Sequence, residues 1–292
     1  MKVLITGGSG FIGRNLVEHL SAHFEVAAPS SAELDLLDAS AARRYLCSHR
    51  FDVIVHAATT RSNRRLGAPA DMLDRNCRMF FNLTRNGGLF GKMIHFGSGA
   101  EYERSGLPPR VREEYFDTRV PTDPYGFSKY ICAKYIERAE RIVELRLFGV
   151  FGKYEDYTVR FISNACARTV AGLPILVRQD VCFDYLYVDD LAEITRWFIA
   201  NDARYPAYNI SAGTSYKLTD LARTVAEVSK RNPRIIVKNG FLAPEYTADN
   251  ARWLTEVGKY DFRPMRESVS ELYAWYAGHQ ELIEKELLRF DE

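Results

Sequence analysis

The chain has 292 residues, with 39 Lys+Arg against 38 Asp+Glu, 47% hydrophobic and 26% charged. A net charge of +1 gives no overall attraction to nucleic acid or to an anionic membrane, and neither partner is expected. An ordinary apolar fraction with nearly cancelling charge argues against disorder and for a folded chain with a substantial core.

Residues 3–6 (Val-Leu-Ile-Thr) form a short β-branched run closed by glycines and read as a buried strand. That run is too short for the apolar part of a signal peptide, and no later stretch approaches a bilayer span, so a reducing cytoplasm is expected. From Phe11, apolar residues at Ile12, Leu16, Val17 and Leu20 recur at helical spacing. Further strands are expected at 25–28, 53–56, 93–96 and 144–147, with helices near 39–48, 72–86 and 125–138. Such alternation implies parallel strands joined by right-handed crossovers, an α/β doubly wound parallel sheet. After Gly149 the alternation weakens. Strands are expected at 183–188, 208–210 and 234–237, with a helix from Asp189 or Asp190, one capped by Thr219, and helix from Glu267 to the end. This assigns 1–149 plus about 183–210 to a dinucleotide-binding domain, and about 150–182 plus 211–292 to a smaller substrate lobe. The five cysteines (Cys47, Cys77, Cys132, Cys166 and Cys182) are odd in number, scattered and never paired as C-x-x-C, so neither a disulfide framework nor a metal site is expected.

Gly7-Gly8-Ser9-Gly10-Phe11-Ile12-Gly13 follows the first strand and opens the first helix. Gly7 suits a tight turn, Gly10 lets backbone approach a pyrophosphate, and Gly13 allows close packing, while the helix N-terminus offers amide donors. Tyr125-Gly126-Phe127-Ser128-Lys129 is the second signal. Positions i and i+4 share a helix face, so the Lys129 ammonium sits near the Tyr125 phenol and favours phenolate, giving a usable acid/base. Ser98 stands at the end of the preceding expected strand, where by itself it reads as a turn residue.

The G-x-x-G-x-x-G spacing with its Thr6-Gly7-Gly8 start resembles the extended short-chain dehydrogenase/reductase family, of the NAD-dependent epimerase/dehydratase type that modifies nucleotide sugars. Asp35-Leu36, Val55-His56-Ala57-Ala58 and Asn76 with Asn82 match family segments, and the resemblance covers residues 1 to about 200. It implies cofactor contacts from Gly7, Ser9, Gly10, Phe11, Ile12, Asp35, Leu36, Ala57, Ala58, Asn76, Tyr125 and Lys129, and a catalytic trio of Ser98, Tyr125 and Lys129. The second strand ends Ala28-Pro29-Ser30-Ser31 without a carboxylate. Ser30, aided by Arg14 and Arg43-Arg44, would then suit a 2′-phosphate, which places NADP ahead of NAD.

Departures from the family narrow the reaction. Dehydratases carry Asp and Glu after the strand-end hydroxyl, where this chain has Gly99 and Ala100. The Cys and His of fucose synthases match Ala100 and Thr158. A 4-ketoreductase remains, with a 4-epimerase as alternative and a noncatalytic dinucleotide sensor as a reading of another class. Relatives also hold the substrate diphosphate with an asparagine and an arginine, which here are Gly149 and Phe183. Other cations must serve: Arg160, Arg168, Arg178, or the loop cluster of Arg61, Arg64 and Arg65. Phe183 is a candidate for stacking on a base. Relatives often dimerise through paired helices, here 72–86 and 125–138, with Met79, Phe80 and Phe81 as candidate seam residues.

Overall fold

Val3, Leu4, Ile5, Ile54, Val55 and Ile94 are almost wholly buried, because their strands are covered on both faces by helices. A computed structural model describes residues 1–60, 67 and 69–289, and only the backbone of 240–243. The first half runs β1 (Lys2–Thr6), α1 (Phe11–Leu20), β2 (Glu25–Ala27), α2 (Ala39–His49), β3 (Phe51–His56), α3 (Met72–Thr84), β4 (Phe90–Ser98), α4 (Pro124–Ile136) and β5 (Ile142–Leu147). It continues with β6 (Gly149–Phe151), α5 (Phe161–Val170), β7 (Ile175–Tyr187), α6 (Val188–Ala200), β8 (Ala207–Ile210) and β9 (Ser215–Lys217). The chain then forms α7 (Leu218–Ser229), β10 (Ile235–Tyr246), α8 (Ala251–Val257), α9 (Met265–Gly278) and α10 (Lys285–Arg289).

The main sheet has the order β2-β1-β3-β4-β5-β8, parallel throughout. The order reverses between β1 and β3, which opens a crevice at their carboxyl ends. A second sheet, β10-β7-β6, is parallel, with β9 added antiparallel to β7. Helices α5, α7 and α9 pack with β7 around Ile162, Val177, Leu221, Val225 and Leu272. No described helix is long and apolar enough to cross a membrane.

Several expectations need correction. The N-cap of α7 is Lys217, while Thr219 donates from its backbone N–H and its hydroxyl to Asp180, at 3.1 and 2.8 Å. The last helix stops at Gly278, and a 3₁₀ turn intervenes before α10. Phe80 is fully buried against the core and cannot form an outer seam, whereas Met79 and Phe81 are partly buried.

Candidate active site

The crevice is lined first by glycine. Gly7 has φ +72°, and a Cβ there would stand 2.7 Å from Ala58 Cα and 2.8 Å from its nitrogen. Only glycine allows this approach of the β1 and β3 ends. The Thr6 hydroxyl locks the same junction by accepting Ala58 N–H at 3.3 Å and sharing a 2.8 Å hydrogen bond with His56 Nδ1. Helix α1 starts at Gly10 with no side-chain cap and no acid in its first turn. Its amides are therefore open to an anion, and the cradle fits a dinucleotide pyrophosphate. Ser9 and Gly10 are exposed there, with Phe11 and Ile12 in the adjoining cleft.

Around this cradle, Arg14 stacks on Tyr154 at 3.7 Å and pairs with Glu18 at 3.6 Å. Asn76 holds the Thr60 peptide from both sides, accepting its N–H at 2.7 Å and donating to its carbonyl at 3.1 Å. Its amide also donates to Ser128 at 3.2 Å, which ties the loop after β3 to α4. Asp35 accepts Leu37 N–H at 2.8 Å, and Leu36 is buried, its carbonyl bonded by Asn82 at 2.8 Å. The end of β2 is not neutral. Glu33 folds back so that its carboxylate accepts both the Ser30 N–H and the Ser30 hydroxyl at 2.8 Å. These bonds hold its carboxyl below the usual range.

Ser98, Tyr125 and Lys129 meet in one cleft of about 330 Å³, together with Phe11, Ile12 and Ala57. Ser98 ends β4 in a reciprocal cap: Glu101 accepts its N–H at 2.6 Å, and its hydroxyl oxygen accepts Ala100 N–H at 3.2 Å. Asp123 caps α4 by accepting Gly126 N–H at 2.9 Å, and Pro124 follows in the first turn. This fixes Tyr125 at the mouth and Lys129 one turn deeper, where its ammonium donates to Phe96 O at 2.7 Å. Two buried imidazoles lie nearby. Burial and then the Lys129 charge push His56 down to about 3, and the same causes hold His95 well below its usual value. Both stay neutral and put no second positive charge beside Lys129.

Beneath Ser98 lies a buried ionic group. Arg146 Nε donates to Glu101 at 2.8 Å and to Glu144 at 3.0 Å, and its Nη1 donates to Tyr102 at 3.0 Å. Over the cleft, β10 delivers Tyr246, whose ring faces Phe148 and Phe183 with centroids 5.0 and 5.7 Å away. Arg104 lies 5.1 Å from the centre of that ring. Sequence reading missed Glu144, Arg146 and Tyr246. Glu144 and Arg146 were detectable as charged residues in a strand otherwise reading as core, whereas Tyr246 belongs to no motif.

Of the expected substrate cations, Arg160 lines the cleft, as does Phe183. Arg178 sits on β7 and is not brought to the cleft. Arg168 is fully buried and donates to the carbonyls of Pro174 and Leu288, so it serves the packing of α5 and not a ligand. Arg61, Arg64 and Arg65 lie outside the described residues. Away from the cleft, His19, His23 and Glu193 bring potential ligand atoms within 4.8 Å of one another, but Arg196 occupies the second Glu193 oxygen.

A family model described as "NAD dependent epimerase/dehydratase family" matches residues 3–211, which include the glycine cradle, Ser98, Tyr125 and Lys129. The chain belongs to this family. NAD dependent epimerase/dehydratase members are enzymes, and the relatives agree. A GDP-L-colitose synthase of Yersinia pseudotuberculosis is 26% identical, over 78% of this chain and 82% of that one. A dTDP-4-dehydro-6-deoxy-D-allose reductase of a Streptomyces species is 26% identical, over 95% and 97%. The fold matches that of a GDP-mannoheptose C4 reductase from Campylobacter jejuni with NADP bound, at a TM-score of 0.79 and 19% identity over 94% and 98%.

Proposed function

We propose that this enzyme reduces the 4-keto group of a nucleotide sugar with NADPH, using Ser98 and Tyr125 at the reacting oxygen. The observation that carries the reading is the convergence of Ser98, Tyr125 and Lys129 in one cleft with the Phe11–Ile12 end of the glycine cradle. When bound, the nicotinamide supplies hydride to the sugar carbon. Tyr125 gives its phenolic proton to the oxygen, Ser98 donates a hydrogen bond to it, and Lys129 holds positive charge beside the phenol and toward the nicotinamide ribose. Gly99 and Ala100 carry no proton for dehydration. The reductase among the curated relatives supports the same direction. For the diphosphate, the cleft offers Arg160, and Phe183 offers a stacking face.

Tyr125→Phe tests the reading. Its NADPH affinity, measured by fluorescence, should stay within about threefold of wild type, while reduction of GDP- or dTDP-linked 4-keto-6-deoxyhexoses falls at least about a hundredfold. A fully active Tyr125→Phe enzyme would refute the proposal.

A second reading, an NAD-dependent 4-epimerase, draws on Glu33. Its carboxylate supplies the acid that the β2 end lacks in sequence, and an acid there suits ribose hydroxyls better than a 2′-phosphate. NAD that copurifies and sugar interconversion without net redox change would mark it. We also assign a homodimer seam to α3 and α4, where Tyr135 is 42% exposed and edge-on to Phe80 and Phe81. A monomer mass in light scattering would remove it.

A further inference from the structure

The reacting oxygen in such a cleft is served by two hydroxyls of the dinucleotide-binding half, Ser98 and Tyr125. A third hydroxyl reaches the same spot from the other half. Tyr246 ends β10, and its side chain lines the same cleft as Ser98, Tyr125 and Arg104. Its position is confirmed from the opposite side: a Cβ on Gly99 would collide with the Tyr246 hydroxyl and stand 2.7 Å from the Phe148 ring. Gly99 is thus the space that admits this phenol beside Ser98.

The phenol is well held. Its ring packs on Phe148 and Phe183, the Arg104 guanidinium lies over it, and the chain just beyond is pinned to the body. Thr247 accepts Arg110 N–H at 2.8 Å, Val111 N–H donates to Thr247 O at 3.2 Å, and Val111 bridges to Ala248. Two register irregularities in the β10–β7 pairing, between Asn239 and Ala243 and between Ala243 and Tyr246, precede the tyrosine. Such irregularities re-aim side chains at the end of a strand.

We propose that Tyr246 is a third hydrogen-bond donor to the substrate's reacting oxygen, contributed by the C-terminal half, so that the oxygen is bound by Ser98, Tyr125 and Tyr246 together. The inference rests on the ketoreductase reading of the same cleft. Burial pushes the Tyr246 phenol up to about 12, which keeps it protonated and able to donate across the working range. Tyr125 remains the proton donor, because it alone of the two tyrosines lies one helical turn from Lys129. The arrangement also makes the chemistry depend on both halves of the chain: the oxygen gains its third partner only when β10 is in place over Gly99.

The test is Tyr246→Phe, which removes the hydroxyl and keeps the ring that packs on Phe148 and Phe183. The probes are NADPH and GDP- or dTDP-linked 4-keto-6-deoxyhexoses. The expected result is a kcat about 100- to 1,000-fold lower, the scale of losing one donor to a developing oxyanion, with KM for the sugar moving less than about threefold. NADPH affinity by fluorescence and the melting temperature should match wild type, which separates a donor from a packing residue. Wild-type kcat in Tyr246→Phe, with Tyr125→Phe inactive, overturns the assignment of Tyr246 and leaves the ketoreductase reading standing. Full activity in Tyr125→Phe sinks that reading, and the role of Tyr246 with it. A Tyr246→Phe enzyme whose loss lies wholly in KM, or in melting temperature, makes Tyr246 a wall of the pocket and overturns the donor role as well.

Discussion

Glu101 and Glu144 bring two carboxylates to one guanidinium beneath the strand end that carries Ser98, all three side chains being almost fully buried. A Cβ on Gly97 would meet Glu101 Oε1 and would stand 2.9 Å from Glu144 Oε1, so both oxygens crowd over the same glycine. Glu144 Oε1 has no donor among the described residues. Two facing acceptors without a cation between them are stable when one proton sits between them. Burial first and then the Glu144 charge push Glu101 well above the ordinary carboxylate value of 4.5, and burial raises Glu144. The folded state therefore keeps a proton that the unfolded chain releases above about 4.5, and stability falls as pH rises from there toward the folded value. Glu144→Gln places a permanent N–H toward Glu101 and removes that dependence. As pH rises above about 4.5, calorimetry should show wild type losing at least about 2–4 °C more than the variant, the shift that about 1 kcal/mol gives in a large domain. Parallel pH profiles would dispose of the shared proton.

At the scale of elements, β6 settles a question raised by the sequence. The family resemblance implies an asparagine where this chain has Gly149, which invites the idea that restoring it would restore a phosphate contact. A Cβ on Gly149 would stand 2.7 Å from the Asp184 carbonyl and 3.1 Å from the Tyr185 ring, and Gly149 pairs with Tyr185 in the ladder between β6 and β7. The departure is built into the packing. Gly149→Asn should destabilise by about 1–3 kcal/mol in denaturant melts without improving affinity for any nucleotide sugar. A stable variant that binds more tightly would show that the strand can yield. The same region marks where the sequence stopped being legible. The strands and helices of the first half were readable because each short apolar run is bounded by glycine or by a helical period, and Tyr125 and Lys129 share a helix at fixed spacing. Helix α5 was missed because Ile162, Ser163 and all of 165–170 are buried, so no polar stripe alternates with an apolar one. Strand β7 begins at Ile175, eight residues before its recognisable aromatic part, with Arg178, Gln179 and Asp180 interrupting the pattern. Tyr246 enters the cleft through register irregularities, which leave no periodic trace.

For the molecule as a whole, the cleft joins the carboxyl edge of the main sheet to side chains of the C-terminal half, Arg160, Phe183 and Tyr246. A dinucleotide that fills the cradle binds the folded form alone, and at about a hundred times its dissociation constant it should add about 2.7 kcal/mol, or a rise of roughly 5–10 °C. Gly7→Ala, which forces a side chain into backbone at φ +72°, should lose most of that rise. The identity of the better dinucleotide turns on Glu33, the one described carboxylate bonded to Ser30 at the β2 end. If it faces the ribose, its negative charge and its hold on the Ser30 hydroxyl both oppose a 2′-phosphate. Glu33→Ala frees that hydroxyl and the backbone N–H, so the NADPH-induced rise should grow relative to the NAD-induced one by several degrees in thermal-shift titrations. An unchanged difference between the two dinucleotides would separate Glu33 from cofactor choice and return the decision to Arg14 and the cations of α2.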